Sequence, residues 1–402
     1  MLMLFRCTHA PMKITLWGIN YAPELTGIAP FNTALCEYLS RRGHQVDVVT
    51  SFPYYPEWKK RPSDRGCVFR TDIEGGVRIH RCWLYVPEKV RALKRMVHEA
   101  SFIAMSLLRV LSLPRPDVFV VVSPPLLLGV AAWIAGIVKN SPFVFHVQDL
   151  QPDAAVGLGM LQKGVLTRFL YWVEAFAYAK AARVSGISSG MLDMFRKKGV
   201  AESKIVYFPN GVKLPAIPTE RGLFRARHGI PERTFLVVCS GNMGVKQGLD
   251  VLIQAAQLLS AEEGRSTVDE VRPIRIVLAG DGAMRGRLAE AIARNALQNV
   301  LLLPLQPDQS YREMLADADC TVITQQHGVG SYFFPSKLLA SLAAAKPVIT
   351  VADESSELAK ALAAGRFGVN VPPNDPESLA RAMRAMVLAA GADASVAADR
   401  NG

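Results

Sequence analysis

The sequence is sparing with the features that would settle its class at once. It has six cysteines in 402 residues, at 7, 36, 67, 82, 239 and 320, with no C-x-x-C pair and no metal-ligand grouping with its seven histidines. That excludes a disulfide scaffold and a zinc module, and it reads as the reduced, packing cysteines of a cytoplasmic protein. The opening MLMLFRCTHAP lacks the long apolar core and small-residue cleavage site of a secretory signal. Residues 1–11 are therefore expected to be irregular, with Met12-Lys13 resembling an alternative start. No nucleic-acid recognition motif or aromatic ladder is present, so nucleic acid is not expected as a partner.

An uninterrupted transmembrane run is also missing. VFVVVSPPLLLGVAAWIAGIV, Val118 to Val138, has the length to span a bilayer, but Pro124-Pro125 divides it into a short strand and a helix. A fully buried parallel strand followed by a packed helix has this pattern.

Acidic side chains are the minority, 35 against 46 Lys and Arg, and the imbalance is one-sided. Residues 1–214 hold 27 basic and 15 acidic groups, net +12, whereas the remainder holds 19 and 20, net −1. A basic half without nucleic-acid motifs suits an anionic membrane surface, where each basic group contributes about 1 kcal/mol. VRALKRMVHEASFIAMSLLRVL, Val90 to Leu111, leads with Arg91, Lys94 and Arg95 into an apolar helical pattern. Two readings fit it: an interfacial helix and a core helix with a charged end.

Along the chain, strands are predicted at Lys13–Gly18, after the helix ALCEYLSRRG, and at Val77–Cys82, Val118–Val122, Phe143–Val147, Val184–Ile187 and Ile205–Phe208. A second series follows at Phe235–Cys239, Ile274–Ala279, Val300–Leu303, Cys320–Ile323 and Pro347–Val351, with helices near 249–260, 284–296, 308–317 and 335–345. Alternation of this kind predicts α/β architecture: two Rossmann-like, doubly wound parallel sheets. The proline-rich FPNGVKLPAIPT, Phe208 to Thr219, marks a linker, giving domains 1–214 and 215–402. Ligands of open α/β sheets bind outside the carboxyl ends of the strands, so both sets of loops are expected to face a shared cleft.

The unusual residues lie in those loops. SGNMGVKQGL, Ser240 to Leu249, opens a strand end into Gly241, Gly244 and Lys246. It is either a plain reversal into the next helix or an anion site built from backbone N–H groups at a helix start. AGDGAMRGRL repeats the device at Gly280, and FFPSKLLASLAAAKPVI places Ser336-Lys337 at a helix start. Lys246 and Lys337 together would answer two phosphates. In the first half, GINYAPELTGIAPF brings Gly27 to a helix start, and FHVQDLQPDAAVGLG puts His146 and Asp149, with Asp153 behind, at a strand end. His146 is either a satisfied core residue or a ligand-facing group.

The order of GINYAPELTGI, SFPYYPEW, HVQDLQPDAAVGLG, ISSGMLDMFRKKGV, FPNGV, SGNMGVKQGL, AGDGAMRGRL and FPSKLLASLAAAKPVI resembles the glycosyltransferase family 4 enzymes of GT-B fold. Within them it looks most like the branch of WcaI-type colanic acid biosynthesis glycosyltransferases. The resemblance runs from about Met12 to about residue 385. It implies a donor-binding second domain and an acceptor-binding first domain, the acceptor a lipid-linked saccharide. It also implies that Gly241, Asn242, Gly244, Lys246, Gly280, Ser336, Lys337 and Glu357 bind the nucleotide-sugar donor, with Lys246 on its diphosphate and Glu357 near its ribose. On the same grounds, Gly27 approaches the site on closure, His146 lies by the reacting sugar, and Asp149 orients it or the acceptor.

One departure stands out. Many family members carry two glutamates eight positions apart, and the corresponding residues here are Tyr332 and Ala340. The implied chemistry is retaining glycosyl transfer by front-face attack, without a covalent nucleophile, a cofactor or a metal, and we expect no metal-holding D-x-D motif. GDP-fucose or a UDP-sugar is the expected donor and an undecaprenyl-diphosphate-linked saccharide the acceptor, at the inner face of the cytoplasmic membrane. A non-catalytic nucleotide-sugar-binding subunit and a sugar-nucleotide 2-epimerase are the alternatives. The alanine-rich VLAAGADASVAADRNG predicts either a reduced C-terminal crossing helix or a chain that ends early.

Overall fold

The computed structural model describes residues 10–24, 27–89, 92–157, 164–211, 220–263, 272–330 and 337–399. The chain divides into two compact units, 1–211 and 212–402. The expected boundary at 214 falls in 212–219, outside the described residues.

The first unit runs β1 (Lys13–Trp17), α1 (Ala29–Arg41), β2 (Gln45–Ser51), β3 (Phe69–Glu74), β4 (Val77–Cys82), α2 (Ala92–Ser112), β5 (Val118–Ser123), α3 (Leu128–Lys139), β6 (Phe143–Val147), α4 (Gln151–Gly157), α5 (Val165–Lys180), β7 (Arg183–Gly186), α6 (Ser189–Lys197) and β8 (Ile205–Tyr207). Its sheet order is β3-β4-β2-β1-β5-β6-β7-β8. All pairings are parallel except β3 with β4. The wholly parallel sheet expected from sequence therefore needs correction: β3 is an antiparallel edge. Its hairpin turns at Gly75-Gly76, whose φ values of 59° and 78° suit the primed turns that match strand twist. The polar FRTDIE is largely exposed, so it carries no apolar run to announce a strand.

Winding reverses between β1 and β5, which are neighbours in the sheet, so the switch point lies beside the loop after β1. Trp17 and Phe119 face each other from these two strands with ring centroids 6.4 Å apart, both fully buried. α3 ends at Asn140, left-handed at φ 48°, and α6 starts at Ser188, which accepts from Met191 N.

The second unit runs α7 (Leu223–Arg227), β9 (Phe235–Asn242), α8 (Asp250–Glu263), β10 (Ile274–Asp281), α9 (Arg285–Arg294), β11 (Val300–Leu303), α10 (Asp308–Asp317), β12 (Cys320–Thr324), α11 (Lys337–Ala343), β13 (Val348–Val351), α12 (Glu357–Gly365), β14 (Gly368–Val371) and α13 (Pro376–Asp399). Its order, β11-β10-β9-β12-β13-β14, is parallel throughout. α13 is longer than the weak C-terminal pattern suggested. Leu379, Met383 and Val387, one helical turn apart, enter the core formed with α8, and each fully buried side chain of this size contributes roughly 1.5–3 kcal/mol. No described helix is long and apolar enough to cross a membrane.

Candidate active site

The glycine turns of the second unit are built on strand register. β9 and β10 pair Gly241 with Gly280 and Asn242 with Asp281. A Cβ on Gly280 would stand 1.8 Å from Gly241 O, so only glycine lets these strand ends meet. Met243 N donates to Asp281 O at 2.7 Å, and Met284 N to Met243 O at 2.9 Å. Arg285 Nη1 donates to Gly280 O at 2.9 Å and Leu303 O at 2.7 Å, holding the second turn from behind. Asn242 lies between the turns, its amide beside Gly244 and Gly282. Gly244 N donates to Gln247 Oε1 at 3.0 Å, and Gln326 N donates to Lys246 O at 2.9 Å. That last bond ties the lysine-bearing turn to the segment after β12.

Lys337 reaches the same place from the start of α11. Gly241 has φ 107°, and a Cβ there would lie 2.9 Å from Lys337 Cε and 3.7 Å from Nζ. The lysine thus lies along the turn because position 241 has no side chain. Burial lowers the Lys337 pKa below the ordinary lysine value, and the positive charge of Lys246 pushes the same way. Two lysines whose positive charges oppose each other at one glycine turn, one of them desolvated, are what a diphosphate would stabilise.

Glu357 occupies the first turn of α12, where Ser356 caps the helix by accepting from Ala359 N at 3.1 Å. Its Oε1 lies 3.1 Å from Lys360 Nζ. β9, β12 and β13 are adjacent, so the loops bearing Lys246, residues 325–330 and Glu357 share one edge of the sheet. There Asp353 accepts from Gly328 N at 2.7 Å and lies 2.6 Å from His327 Nδ1, a pairing the sequence reading missed. Ser336 and Tyr332 lie outside the described residues; Ala340 is within α11.

One D-x-D string does occur, Asp317-Ala318-Asp319. Both carboxylates belong to the opposite, amino edge of β12. Asp317 accepts from Arg225 N at 2.9 Å, and Asp319 pairs with Arg225 at 2.6 Å and Arg221 at 3.2 Å. They fasten α7 to the sheet, far from the glycine turns in topology.

In the first unit His146 is fully enclosed on β6. Gln148 Nε2 donates to His146 Nε2 at 2.7 Å, which leaves the ring proton on Nδ1, donated to Ser185 Oγ at 2.9 Å. Burial pushes the imidazole down to about 4, so it is neutral at neutral pH. Both ring nitrogens are thereby taken by Ser185 and Gln148, which fix the ring's orientation. Asp149, half-buried, follows at the strand end. Gln148 is in turn paired with Asn210 through reciprocal amide bonds of 2.9 and 2.7 Å. Both residues stand inside recognised motifs, HVQD and FPNGV, yet only folding shows that they meet. Asp153 does not join this group; it pairs with Lys198, which also holds Glu174 at 2.5 Å.

Gly27 sits near the Tyr55 ring, 3.6 Å from where its Cβ would be. Its loop is stapled to the segment after β2 by Glu24, which accepts from Tyr54 N and Tyr55 N, both at 3.0 Å, and from Asn20 Nδ2 at 2.7 Å. Burial raises the Glu24 pKa, against these hydrogen bonds. Among the described residues no group of His, Cys, Asp and Glu side chains is placed to hold a metal ion.

This pair of parallel α/β units, one ending in two lysines over a glycine turn, is the GT-B fold of glycosyltransferases. Residues 26–211 match the glycosyl transferase 4-like domain and residues 220–395 the glycosyl transferases group 1 domain. The chain is 30% identical over 387 residues to the putative colanic acid biosynthesis glycosyl transferase WcaI of Escherichia coli (strain K12), covering 94% of this chain and 92% of that protein. Among solved structures it resembles WaaG, a glycosyltransferase involved in lipopolysaccharide biosynthesis, with TM-score 0.63, 18% identity and 93% and 90% of the two chains covered. It also resembles Anabaena Alr3699/HepE in complex with UDP-glucose, with TM-score 0.62, 14% identity and 92% and 88% covered. The protein belongs to the glycosyltransferase family 4 enzymes, and it is a glycosyltransferase.

Proposed function

We propose that the protein transfers a sugar, with retention of configuration, from a nucleotide-sugar donor to a lipid-linked saccharide during exopolysaccharide assembly of the colanic acid type. The observation that carries this reading is Lys337 lying along Gly241 beside Lys246: a built site for a leaving diphosphate. The second unit binds the donor, GDP-fucose or a UDP-sugar, through Gly241, Asn242, Gly244, Lys246, Gly280, Ser336 and Lys337, with Glu357 at the ribose. The likeness to HepE with UDP-glucose and to WcaI supports the donor class and the polymer setting.

The acceptor hydroxyl attacks the anomeric carbon on the face the diphosphate leaves. The C–O bond to the diphosphate breaks as the new glycosidic bond forms, and the departing phosphate oxygen takes the hydroxyl proton. Lys246 and Lys337 stabilise the charge that develops on the leaving group, the electrostatic contribution that is usually largest. His146 acts with Ser185, Gln148 and Asn210 to fix the strand end that presents Asp149 to the sugars; it is neutral and positions rather than exchanging protons.

The first unit binds the acceptor, an undecaprenyl-diphosphate-linked saccharide, at an anionic membrane surface. Its excess of basic residues supports this placement, as does α2, which carries Lys94 and Arg95 into an amphipathic helix. The test is transfer by the purified chain from GDP- and UDP-sugars to undecaprenyl-diphosphate-glucose in liposomes, with Lys246→Ala beside it. Transfer from one donor, lost in the variant, is the expected result; donor binding without transfer to any lipid-linked acceptor would overturn it.

A further inference from the structure

Helices α2, α3 and α5 of the first unit lie on one face of its sheet. The crossovers through α2, α3 and α5 all advance from β4 towards β7, and right-handed crossovers that advance the same way place their helices on the same side. α1 advances in the other direction and lies on the opposite side. α3 packs between α2 and α5. Trp133 of α3 meets Phe176 of α5 edge-on at 5.1 Å between ring centroids, and Phe176, Trp172 and Phe169 continue along α5 as stacked pairs at 5.8 and 6.1 Å.

The outward side of these helices is apolar. On α5, Val165 is 86% exposed and Trp172 61%; on α3, Ile137 is 62% and Val138 63% exposed. A helix on an aqueous surface ordinarily turns charged residues outward, and large contiguous apolar patches mark binding surfaces. The divided run at 118–138, expected to be wholly packed after its strand, thus leaves one stripe of α3 uncovered.

Exposed charge on α3 and α5 has one sign. α3 contains no acidic residue, and the only one on α5, Glu174, is buried against Lys198 and Tyr178. Arg168 stands exposed within the α5 stripe, and Lys180 Nζ lies 5.8 Å from both the Trp133 and Phe176 rings. At the start of α2, Lys94 and Arg95 are interleaved with the exposed Leu93 and Met96, Arg95 pairing with Glu99.

We propose that the α3–α5 face, continued by the start of α2, is the surface by which the protein lies on an anionic lipid bilayer, with Trp172 as its aromatic anchor. This rests on the membrane-bound acceptor reading above and names the surface that meets the membrane. Apolar side chains enter the interfacial layer, the tryptophan sits at headgroup level, and the cations meet lipid phosphates. A second copy of the chain on the same face would set cation against cation.

The test uses the full chain with phosphatidylcholine vesicles and with mixed phosphatidylglycerol–phosphatidylcholine vesicles, in the absence of any saccharide lipid. Binding is expected to the mixed vesicles, to weaken with added salt, and to shift tryptophan emission to the blue unless Trp172 is replaced by Phe. The double substitution Ile137→Gln and Val138→Gln, and separately Trp172→Ala, should lower vesicle affinity roughly tenfold while leaving UDP or GDP binding unchanged. Tyr38→Gln, exposed on α1 across the sheet, should leave vesicle binding as it was. Equal vesicle binding by parent and both α3 and α5 variants would overturn the proposal, as would a dimer that the double substitution makes monomeric. Transfer measured in detergent separates the two ideas: transfer by a chain that ignores vesicles removes the docking face alone, and vesicle binding through this face without transfer removes the transferase reading alone.

Discussion

Gln148 and Asn210 exchange amide hydrogen bonds in both directions, at 2.9 and 2.7 Å, joining the end of β6 to the segment after β8. Gln148 is buried and also supplies the donor that selects the His146 tautomer. The pair therefore couples the chain's exit from the first sheet to the geometry of the strand end that carries Asp149.

Replacing Asn210 with Ala should leave the buried Gln148 amide short of one donor and one acceptor, a loss of about 1–3 kcal/mol. Urea unfolding would read it. Asn210→Asp should restore only the acceptor half of the pairing and fall between parent and Ala.

Gly280→Ala should be worse than its single methyl suggests. The added carbon meets the Gly241 carbonyl at 1.8 Å, so the two strand ends must part. Overpacking of this sort costs about 1–3 kcal/mol. Nucleotide binding, measured by calorimetry, should weaken together with stability if, as proposed, Gly241 lies in the donor turn.

Lys337→Met should lower kcat roughly 10²–10³-fold, the size of effect expected when one preorganised charge-stabilising group is removed. Its pKa is lowered by burial and then by Lys246. The ammonium is thus lost at lower pH than an ordinary lysine, and UDP or GDP affinity should fall as pH rises into the alkaline range. A titration of nucleotide affinity against pH should show that limb in the parent and a flatter one in Lys337→Met.

Two histidines of the first unit are held neutral. Burial pushes both His146 and His98 down to about 4 from 6.5. As pH falls, the unfolded chain protonates first, so the stabilisation is complete above about 6.5 and is lost progressively towards 4, at up to about 1.4 kcal/mol per pH unit per histidine. Urea midpoints at pH 7 and pH 5 should differ in the parent. The difference should shrink in His98→Asn, whatever that change does at neutral pH.

The alternation of strands and helices, the break at Pro124-Pro125 and the glycine turns were all legible in the sequence, because each is a local pattern repeated at a fixed period. Strand ends at Val77, Cys82, Phe143, Val147, Val300 and Leu303 coincide with those read from apolar runs. β3 was not legible: its alternation is polar, and its stability comes from pairing with β4. Nor was α13 beyond its first turns, since alanine-rich helix has little apolar contrast and only Leu379, Met383 and Val387 declare the buried side.

What the sequence determined by itself is therefore the architecture and the motif order, down to the lysines and glycines of the proposed donor site. Tertiary structure decided which of them meet: Lys337 along Gly241, Gln148 against Asn210, and His146 closed in rather than turned to solvent. It also decided that the outward stripe of α3 stays uncovered. These are relations between residues up to 96 positions apart, as with Gly241 and Lys337. Such pairings depend on strand order and register, which no local pattern encodes.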